Sequence, residues 1–138
     1  MIWSLFQRGK KSGATLYAPH VRGREAETMA QRYLEQHGLH LVTRNFRCTR
    51  GEIDLIMRQD DTLVFVEVRS RRNDNFGSGA DSVDARKQAK LNAAATLYLQ
   101  QHAPLSNCPC RFDVVAISFA TDPPQLDWIP DAFGDAHF

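Results

Sequence analysis

Cysteine is scarce in this sequence, and the few cysteines do not form a known pattern. Cys48, Cys108 and Cys110 are an odd number, and the last two lie in CPC, a spacing that is not a zinc pattern and that no histidine pair completes. A chain of 138 residues buries roughly two-thirds of its unfolded surface, so it needs no disulfide framework. The sequence therefore predicts free or buried thiols in a reducing compartment.

Long apolar runs are also missing. No stretch approaches the ~20 apolar residues of a membrane-spanning helix. The opening MIWSLF is too short for the core of a signal peptide, and its basic residues follow it rather than precede it. The composition, 43% hydrophobic and 24% charged, is that of an ordinary globular domain. We therefore expect a cytoplasmic protein with no membrane partner.

The net charge of +1 conceals an uneven distribution. Residues 1–58 hold ten basic residues against five acidic ones, whereas residues 111–138 hold one against five. A basic front half suits a polyanionic partner, although ordinary solvated charge explains it equally well. We interpret residues 1–21 as a flexible basic arm that precedes a single domain over residues 22–138. The arm's candidate nucleic-acid-binding residues are Arg8, Lys10 and Lys11.

Hydrophobic periodicity predicts an alternation of helices and strands. Apolar residues at helical spacing predict two helices, over residues 24–37 and 83–102, with Gly38 ending the first. Extended apolar stretches predict four strands and a fifth, shorter one, at residues 39–48, 52–58, 63–69, 111–119 and 126–129. A polar, glycine-containing loop fills residues 70–82. The main order, helix, three strands, helix, strand, indicates an α/β domain with a mixed sheet.

Two acidic residues interrupt the apolar strands of a predicted hairpin. If this hairpin turns at Asp60 and Asp61, the numbers of opposed residues sum to 121. Asp54 and Glu67 would then face each other, with their Cβ atoms ~5 Å apart on one face of the sheet. A four-residue loop keeps this pairing, whereas a three-residue loop makes the contact diagonal.

Such a pair of carboxylates has two interpretations. Two ionised carboxylates this close repel, so one must hold a proton or a cation must lie between them. Mg²⁺ takes one or two carboxylates and keeps water and phosphate in the rest of its shell. Arg69, two residues beyond Glu67, shares its face and supplies a charge for a phosphate. A buried ion pair of Glu67 with Arg69 or with a helix residue explains the same residues without a metal ion.

Both predicted helices bring charged residues to the borders of their apolar faces. Glu27 borders the apolar stripe of the first helix, and so does Glu25, so that spacing does not choose between them. Lys87 begins the buried face of the second helix, where it must extend to solvent or meet an acid. In the last long strand, Asp113 is either a further metal ligand or a structural hydrogen-bond acceptor.

The order of these residues resembles the PD-(D/E)xK nuclease superfamily. More narrowly, residues 23–119 resemble the YraN family of bacterial proteins, which are related to archaeal Holliday junction resolvases. The similar segments are GREAETMAQRYLEQHG, NFR, GEIDLIMRQDDTLVFVEVRSR, FG, DARKQAKLNAAATLYL and RFDVVAI. The resemblance implies a restriction-endonuclease-like core and cleavage of DNA that depends on Mg²⁺ or Mn²⁺.

The resemblance also assigns site residues. It places the metal-binding acids of the family on Glu27, Asp54 and Glu67. The catalytic lysine of the family falls on Arg69, which keeps the charge but cannot release a proton at neutral pH. Any role of an amine in activating water would therefore pass to Lys87.

Three functions remain open at this point. The first is a metal-dependent endonuclease for branched or flapped DNA, with the basic arm, Arg71 and Arg72 on the phosphate backbone. The second is a nucleic-acid-binding module that kept the fold and lost the chemistry, as the arginine at position 69 favours. The third is a protein-interaction subunit that uses the tail at residues 130–138. Resolvase-type cleavage of a junction needs paired active sites, which a homodimer would supply, although no residue pattern in the sequence indicates one.

Overall fold

Five strands form one mixed sheet with a helix on each face. The structure is a computed structural model that describes residues 19–71, 83–105 and 107–133, without the side chains of residues 19–22 and 71. Its elements are α1 (Pro19–Gln36), β1 (His40–Cys48), β2 (Gly51–Gln59), β3 (Thr62–Arg71), α2 (Ala85–Gln101), a 3₁₀ turn (Ala103–Leu105), β4 (Cys110–Ser118) and β5 (Gln125–Ile129).

The sheet has the strand order β1-β2-β3-β4-β5. β3 and β4 run parallel, and the other three neighbouring pairs are antiparallel. The parallel pair is the one whose connection carries α2, as a crossover between parallel strands requires. These arrangements confirm the predicted α/β class, the mixed sheet and the short fifth strand.

The two helices cover opposite faces of the sheet. Leu34 of α1 packs in one buried cluster with Leu55, while Leu91 of α2 packs in another with Ile56. Neighbouring residues of a strand point to opposite faces, so these clusters lie on the two sides of β2. The domain therefore has three layers, and each helix is held by burial of its own apolar face.

The first helix ends as its sequence predicts. Gly38 adopts a φ of +90°, a left-handed conformation that glycine accepts without strain. The N–H of Leu39 donates to the carbonyl of Leu34 at 3.0 Å, and that of Gly38 donates to Glu35 at 3.2 Å. This pair of bonds is the Schellman motif, which satisfies two carbonyls at the end of α1.

The start of α1 differs from the prediction. The helix begins at Pro19 rather than at residue 24, so the last three residues of the predicted arm are helical. Proline suits a first helical turn because its missing N–H would have no partner there. Arg8, Lys10 and Lys11 lie outside the described residues. Within the described ranges, neither α-helix is long and apolar enough to cross a membrane.

A two-residue turn at Asp60 and Asp61 joins β2 to β3, as predicted. The ladder runs from the pair Gln59–Thr62 to the pair Leu55–Val66, and each pair sums to 121, which confirms the register. Beyond Leu55–Val66, β2 remains paired with β1 and β3 remains paired with β4. The sheet therefore opens a gap between β2 and β3 at this end, which we call the strand gap.

The second helix is fixed close to the strand gap. Asp84 caps α2, its Oδ1 accepting the N–H of Lys87 at 2.8 Å. This bond satisfies one of the free donors at the helix start and puts Lys87 in the first turn. Farther along, a Cβ at Gly51 would lie 3.1 Å from the carbonyl oxygen of Lys90. Glycine at the start of β2 thus lets the helix backbone approach the sheet.

The three cysteines are free, as predicted. Cys48, Cys108 and Cys110 are all half-buried and form no disulfide. The Cys110 thiol donates to the carbonyl of Cys108 at 3.3 Å, and burial raises the pKa of this thiol. A thiol held neutral by burial is unreactive, which fits a structural position.

Candidate functional site

Asp54 lies at the strand gap, where β2 loses its regular alternation. Its Oδ2 accepts the backbone N–H of Val68 at 2.8 Å, so the side chain takes the place of a ladder partner from β2. Strict alternation would put Ile53 on the same face as Leu55, yet Ile53 packs with Ile56 in the cluster under α2. The strand therefore turns at Asp54, and the carboxylate is directed toward β3.

The neighbouring strand is irregular at the same level. Phe46 of β1 pairs with Ile53 of β2, which places Asn45 opposite Asp54. Asn45 has a φ of +53°, in the left-handed region that asparagine tolerates better than most residues. The sequence analysis did not single out Asn45. Asparagine within a strand of alternating polarity was the available signal.

Glu67 of β3 meets Asp54 across the strand gap. Glu67 is 6% exposed, and the two carboxyl groups are hydrogen-bonded to each other. Burial and the charge of Glu67 raise the pKa of Asp54 from 3.8 to about 8, although the Val68 N–H opposes the shift. Because the pKa of Asp54 is raised to about 8, this carboxyl group holds its proton at neutral pH and can donate it to Glu67. The predicted proximity of Asp54 and Glu67 is confirmed.

Two cations flank Glu67 on the side of α2. Arg69 Nε lies 3.3 Å and Lys87 Nζ 3.5 Å from the same oxygen, Glu67 Oε2. The lysine side chain is 38% exposed and reaches in from the first turn of α2. The ion pairs that the sequence offered as an alternative to a metal site are thus present. Lys87 meets an acid rather than solvent alone.

Glu27 approaches the same pair from α1. Its charge adds a smaller upward contribution to the pKa of Asp54, so it lies within electrostatic reach of that carboxyl group. Its side chain is 14% exposed and lies 3.6 Å from Arg44 Nη2, while Oε1 accepts no hydrogen bond. Of the two glutamates between which helical spacing did not choose, Glu27 is therefore the one whose charge acts on Asp54.

The three acids do not form a ready-made metal centre. Over the described ranges, no three side chains of histidine, cysteine, aspartate or glutamate are grouped closely enough to hold an ion together. Asp54 and Glu67 are in contact, and Glu27 lies nearby with a buried Oε1 that accepts no hydrogen bond and lies 3.6 Å from Arg44 Nη2. The arrangement offers two carboxylates for direct binding and a third within reach.

Asp113 has a structural role rather than that of a further ligand. It is completely buried in β4, and its carboxylate accepts hydrogen bonds from Arg111, Trp128 and the backbone of Asp131. These contacts occupy both oxygens. The sequence had left this choice open.

An open cleft of about 590 Å³ lies beside Glu27, between α1 and β1. Arg24, Arg44 and Arg47 line it, and the sequence analysis proposed none of them. The predicted backbone-binding residue Arg72 and the side chain of Arg71 lie outside the described part of the chain. The missed arginines come from two elements that only folding brings together, so their spacing gave little warning.

Comparison with known proteins identifies relatives over most of the chain. A protein of Ectopseudomonas mendocina strain ymp is 52% identical over 111 residues, covering 80% of this chain and 92% of that protein. A protein of Pseudomonas savastanoi pv. phaseolicola is 52% identical over 112 residues, covering 80% of this chain and 91% of that protein. A Pseudomonas aeruginosa protein from strain LESB58 is 49% identical over 114 residues, covering 81% of this chain and 91% of that protein. All three are described as UPF0102 proteins.

The family model described as "Uncharacterised protein family UPF0102" matches residues 26–117. That range begins beside Glu27, contains β1, β2, β3 and α2, and ends within β4. The match confirms the resemblance to the YraN family. It includes the three acids and two cations described above, Glu27, Asp54, Glu67, Arg69 and Lys87. The chain belongs to protein family UPF0102.

Proposed function

We propose that this protein is a Mg²⁺- or Mn²⁺-dependent endonuclease that acts on DNA and has a restriction-endonuclease-like core. The observation that carries the proposal is the contact of two carboxyl groups, Asp54 and Glu67, in the strand gap beside the cations Arg69 and Lys87. A structural ion pair with Lys87 or Arg69 needs one carboxylate, not two in contact. A strongly raised carboxyl pKa beside a specific charge partner is typical of functional sites.

The carboxylates fit a hard divalent cation. Mg²⁺ binds protein through one or two carboxylates and completes its shell with water and phosphate. Asp54 and Glu67 supply two such groups once their shared proton leaves, and Glu27 Oε1 is a third, buried acceptor without a donor. When bound, a divalent ion lowers the pKa of a water ligand and neutralises charge on a phosphate.

The cations beside Glu67 supply the remaining functions. Arg69 holds a fixed charge suited to the oxygens of a scissile phosphate, because a guanidinium donates to two oxygens at once. Arginine does not release its proton at neutral pH, so it cannot activate water. The amine of Lys87, 3.5 Å from Glu67 and partly exposed, is the group available to orient water or donate a proton.

A second candidate function is a catalytically weakened nucleic-acid-binding module of the same fold. The arginine at position 69 favours it, because this cation can bind phosphate without taking part in proton transfer. The two functions differ in whether a bound strand is cut. They share the basic surface and the carboxylates.

The test is cleavage of labelled linear, flapped and four-way DNAs, together with matched RNAs, in Mg²⁺, Mn²⁺ or EDTA. We expect metal-dependent cleavage of at least one DNA, lost in Glu67→Gln and kept in Glu35→Gln. Glu35 is an exposed acid on the same helix as Glu27, so its change controls for loss of a surface charge.

Each other outcome points elsewhere. Binding without cleavage in both metals would support the binding module. If Glu67→Gln cleaved DNA at the native rate, the pair of Asp54 and Glu67 would have no part in the reaction. Cleavage of RNA alone would change the substrate class while keeping the metal-dependent chemistry.

A further inference from the structure

The cleft between α1 and β1 carries more positive than negative charge. Three arginines line it, Arg24 and Arg44 and Arg47, against the single acid Glu27. The volume of about 590 Å³ falls within the usual range of ligand sites, and the cleft is open to solvent. A wide opening lined by arginines suits an extended polyanion better than a small enclosed ligand.

The partners of these arginines leave much of their charge available. Arg24 is exposed and forms no ion pair with any residue that the structure describes. Arg47 pairs with Glu52 at 3.3 Å, but the two side chains are 73% and 40% exposed, so water competes for this contact. Arg44 lies 3.6 Å from Glu27, which is too long for a hydrogen bond.

The local backbone joins this cleft to the carboxylate pair. Asn45 lines the cleft and lies opposite Asp54 on the neighbouring strand. Glu27 lines it too, and its charge acts on Asp54. On the helix side, a Cβ at Gly23 would meet no atom within 4 Å, so the start of the cleft is open space. A strand lying in the cleft would therefore run past Glu27 and past Asn45, the residue opposite Asp54.

We propose that this cleft binds the sugar-phosphate backbone of a nucleic-acid strand, and that Arg44 leaves Glu27 for a phosphate when the strand binds. The inference rests on the proposed function and adds where the strand lies. Guanidinium groups bind phosphate oxygens through paired, charge-assisted hydrogen bonds, which are shorter and stronger than the 3.6 Å contact with Glu27. The exchange frees Glu27, whose Oε1 already lacks a hydrogen-bond donor.

This arrangement gives the two partners of one ion pair opposite effects on binding. Removing Arg44 deletes a phosphate contact, so affinity for the strand falls. Removing the charge of Glu27 deletes both the competitor for Arg44 and a repulsive charge beside the phosphates, so affinity rises. A purely structural ion pair would not separate the two variants in this way.

The experiment measures binding of labelled single-stranded and double-stranded DNA and RNA in EDTA, over a range of salt concentrations. No metal is present, so binding is read without cleavage. The variants are Arg24→Gln, Arg44→Gln, Arg47→Gln and Glu27→Gln, with Arg32→Gln as the matched control. Arg32 is an exposed arginine on the same helix that does not line the cleft. Melting curves establish that each variant is folded.

We expect each of the three arginine variants of the cleft to bind strands roughly tenfold more weakly than the native protein. The slope of log affinity against log salt should become shallower by about 0.7 to 0.9 for each lost phosphate contact. Arg32→Gln should leave both quantities near native, and Glu27→Gln should bind more tightly than the native protein. The DNA and RNA arms report which nucleic acid the cleft prefers.

Several results would overturn the proposal. If all three arginine variants bound strands with the native salt slope, the cleft would not be the binding site. The proposed nuclease function would be unaffected by this result. Weaker binding by Glu27→Gln would refute the exchange of Arg44. If the protein bound inorganic phosphate but no oligonucleotide, the cleft would be a phosphate site and not a site for a strand. No binding of any strand by native protein would count against both the cleft and the proposed function.

Discussion

Asp54 on β2 and Asp113 on β4 are two aspartates of one sheet in opposite electrostatic surroundings. Asp113 accepts two hydrogen bonds from Arg111, at 2.9 and 3.2 Å, one from Trp128 Nε1 at 3.0 Å and one from the Asp131 N–H at 2.9 Å. Asp54 accepts one backbone N–H and otherwise faces a second carboxyl group. The carboxylate of Asp113 is paired with the cation of Arg111, whereas the carboxyl group of Asp54 lies beside another acid.

The comparison separates an acid that serves folding from one that does not. A buried carboxylate stabilises a fold only when hydrogen bonds and a cation repay its loss of water, as they do at Asp113. At Asp54 the raised pKa means that the folded state disfavours the charged form. Sites where local interactions conflict with stability are commonly functional, which supports a role for Asp54 in binding a cation.

The largest expected effect comes from Asp54→Asn. Loss of metal binding should slow any metal-dependent cleavage on the order of a thousandfold, since the ion supplies several kcal/mol of charge stabilisation. The fold should not suffer, because the amide oxygen can accept the Val68 N–H and the amide NH₂ can donate to Glu67 in place of the Asp54 proton. Single-turnover cleavage and thermal melting measure the two properties. A variant that melts well below native would make Asp54 a structural acid like Asp113.

The converse change, Asp113→Asn, should act on stability alone. It leaves Arg111 without its carboxylate, and breaking a buried pair in this way costs about 3 kcal/mol or more. Denaturant unfolding gives the value, with Asp127→Asn as control because Asp127 is an exposed aspartate on β5. Strand binding by the folded fraction should remain native. A loss below about 1 kcal/mol would mean that the Asp113 contacts do not hold the sheet together.

The two cations beside Glu67, Lys87 and Arg69, should differ in what they contribute to cleavage. Lys87→Ala should reduce cleavage on the order of a hundredfold if its amine positions a proton or water, whereas a phosphate clamp alone would lose less. Arg69→Lys restores an amine next to Glu67 and should recover part of that loss in the double variant. Single-turnover cleavage rates of the three variants in Mg²⁺ distinguish an amine that positions a proton or water from a phosphate clamp. Native cleavage by Lys87→Ala would end the idea that the amine has moved to α2.

The smallest effect is on pH dependence. Folding raises the pKa of Asp54 from 3.8 to about 8, so the folded state holds a proton that the unfolded state lacks between these values. Stability from this group is present at low pH and declines as pH rises toward 8. Metal affinity should show the opposite trend, rising up to about tenfold per pH unit below 8 as the proton is displaced.

Titration calorimetry with Mg²⁺ in two buffers of different ionisation enthalpy measures the proton released. Denaturant unfolding of native protein and Asp54→Asn, without metal, isolates the contribution of Asp54 to stability. A difference between these two proteins that does not change from pH 4 to pH 8 would contradict the shared proton.

Local sequence signals carried much of the fold and part of the site. Gly38 ended the first helix as predicted, and the aspartate pair at residues 60 and 61 set the hairpin register that brings Asp54 to Glu67. These predictions succeeded because a helix cap and a two-residue turn are decided by residues close in sequence. Lys87 was also predictable, since its helical position forced it toward either solvent or an acid.

Contacts between distant elements were beyond that reach. The approach of Glu27 to Asp54 depended on the rotation of α1 against the sheet. The structural role of Asp113 depended on Trp128 and Asp131, both supplied by the segment after β4. The irregular backbone at Asn45 had only a weak signal in the sequence, because asparagine permits a left-handed conformation without requiring it.

The sequence by itself determined which residue types were available and which neighbours along the chain would share a face. Periodicity and turn chemistry act over a few residues, so they specify helices, strands and a hairpin. Only the tertiary structure decided that β2 and β3 separate at Asp54, that α1 brings Glu27 to the same place, and that three arginines line one cleft. Charge interactions depend on distance and burial in three dimensions, and neither quantity exists until the layers have packed.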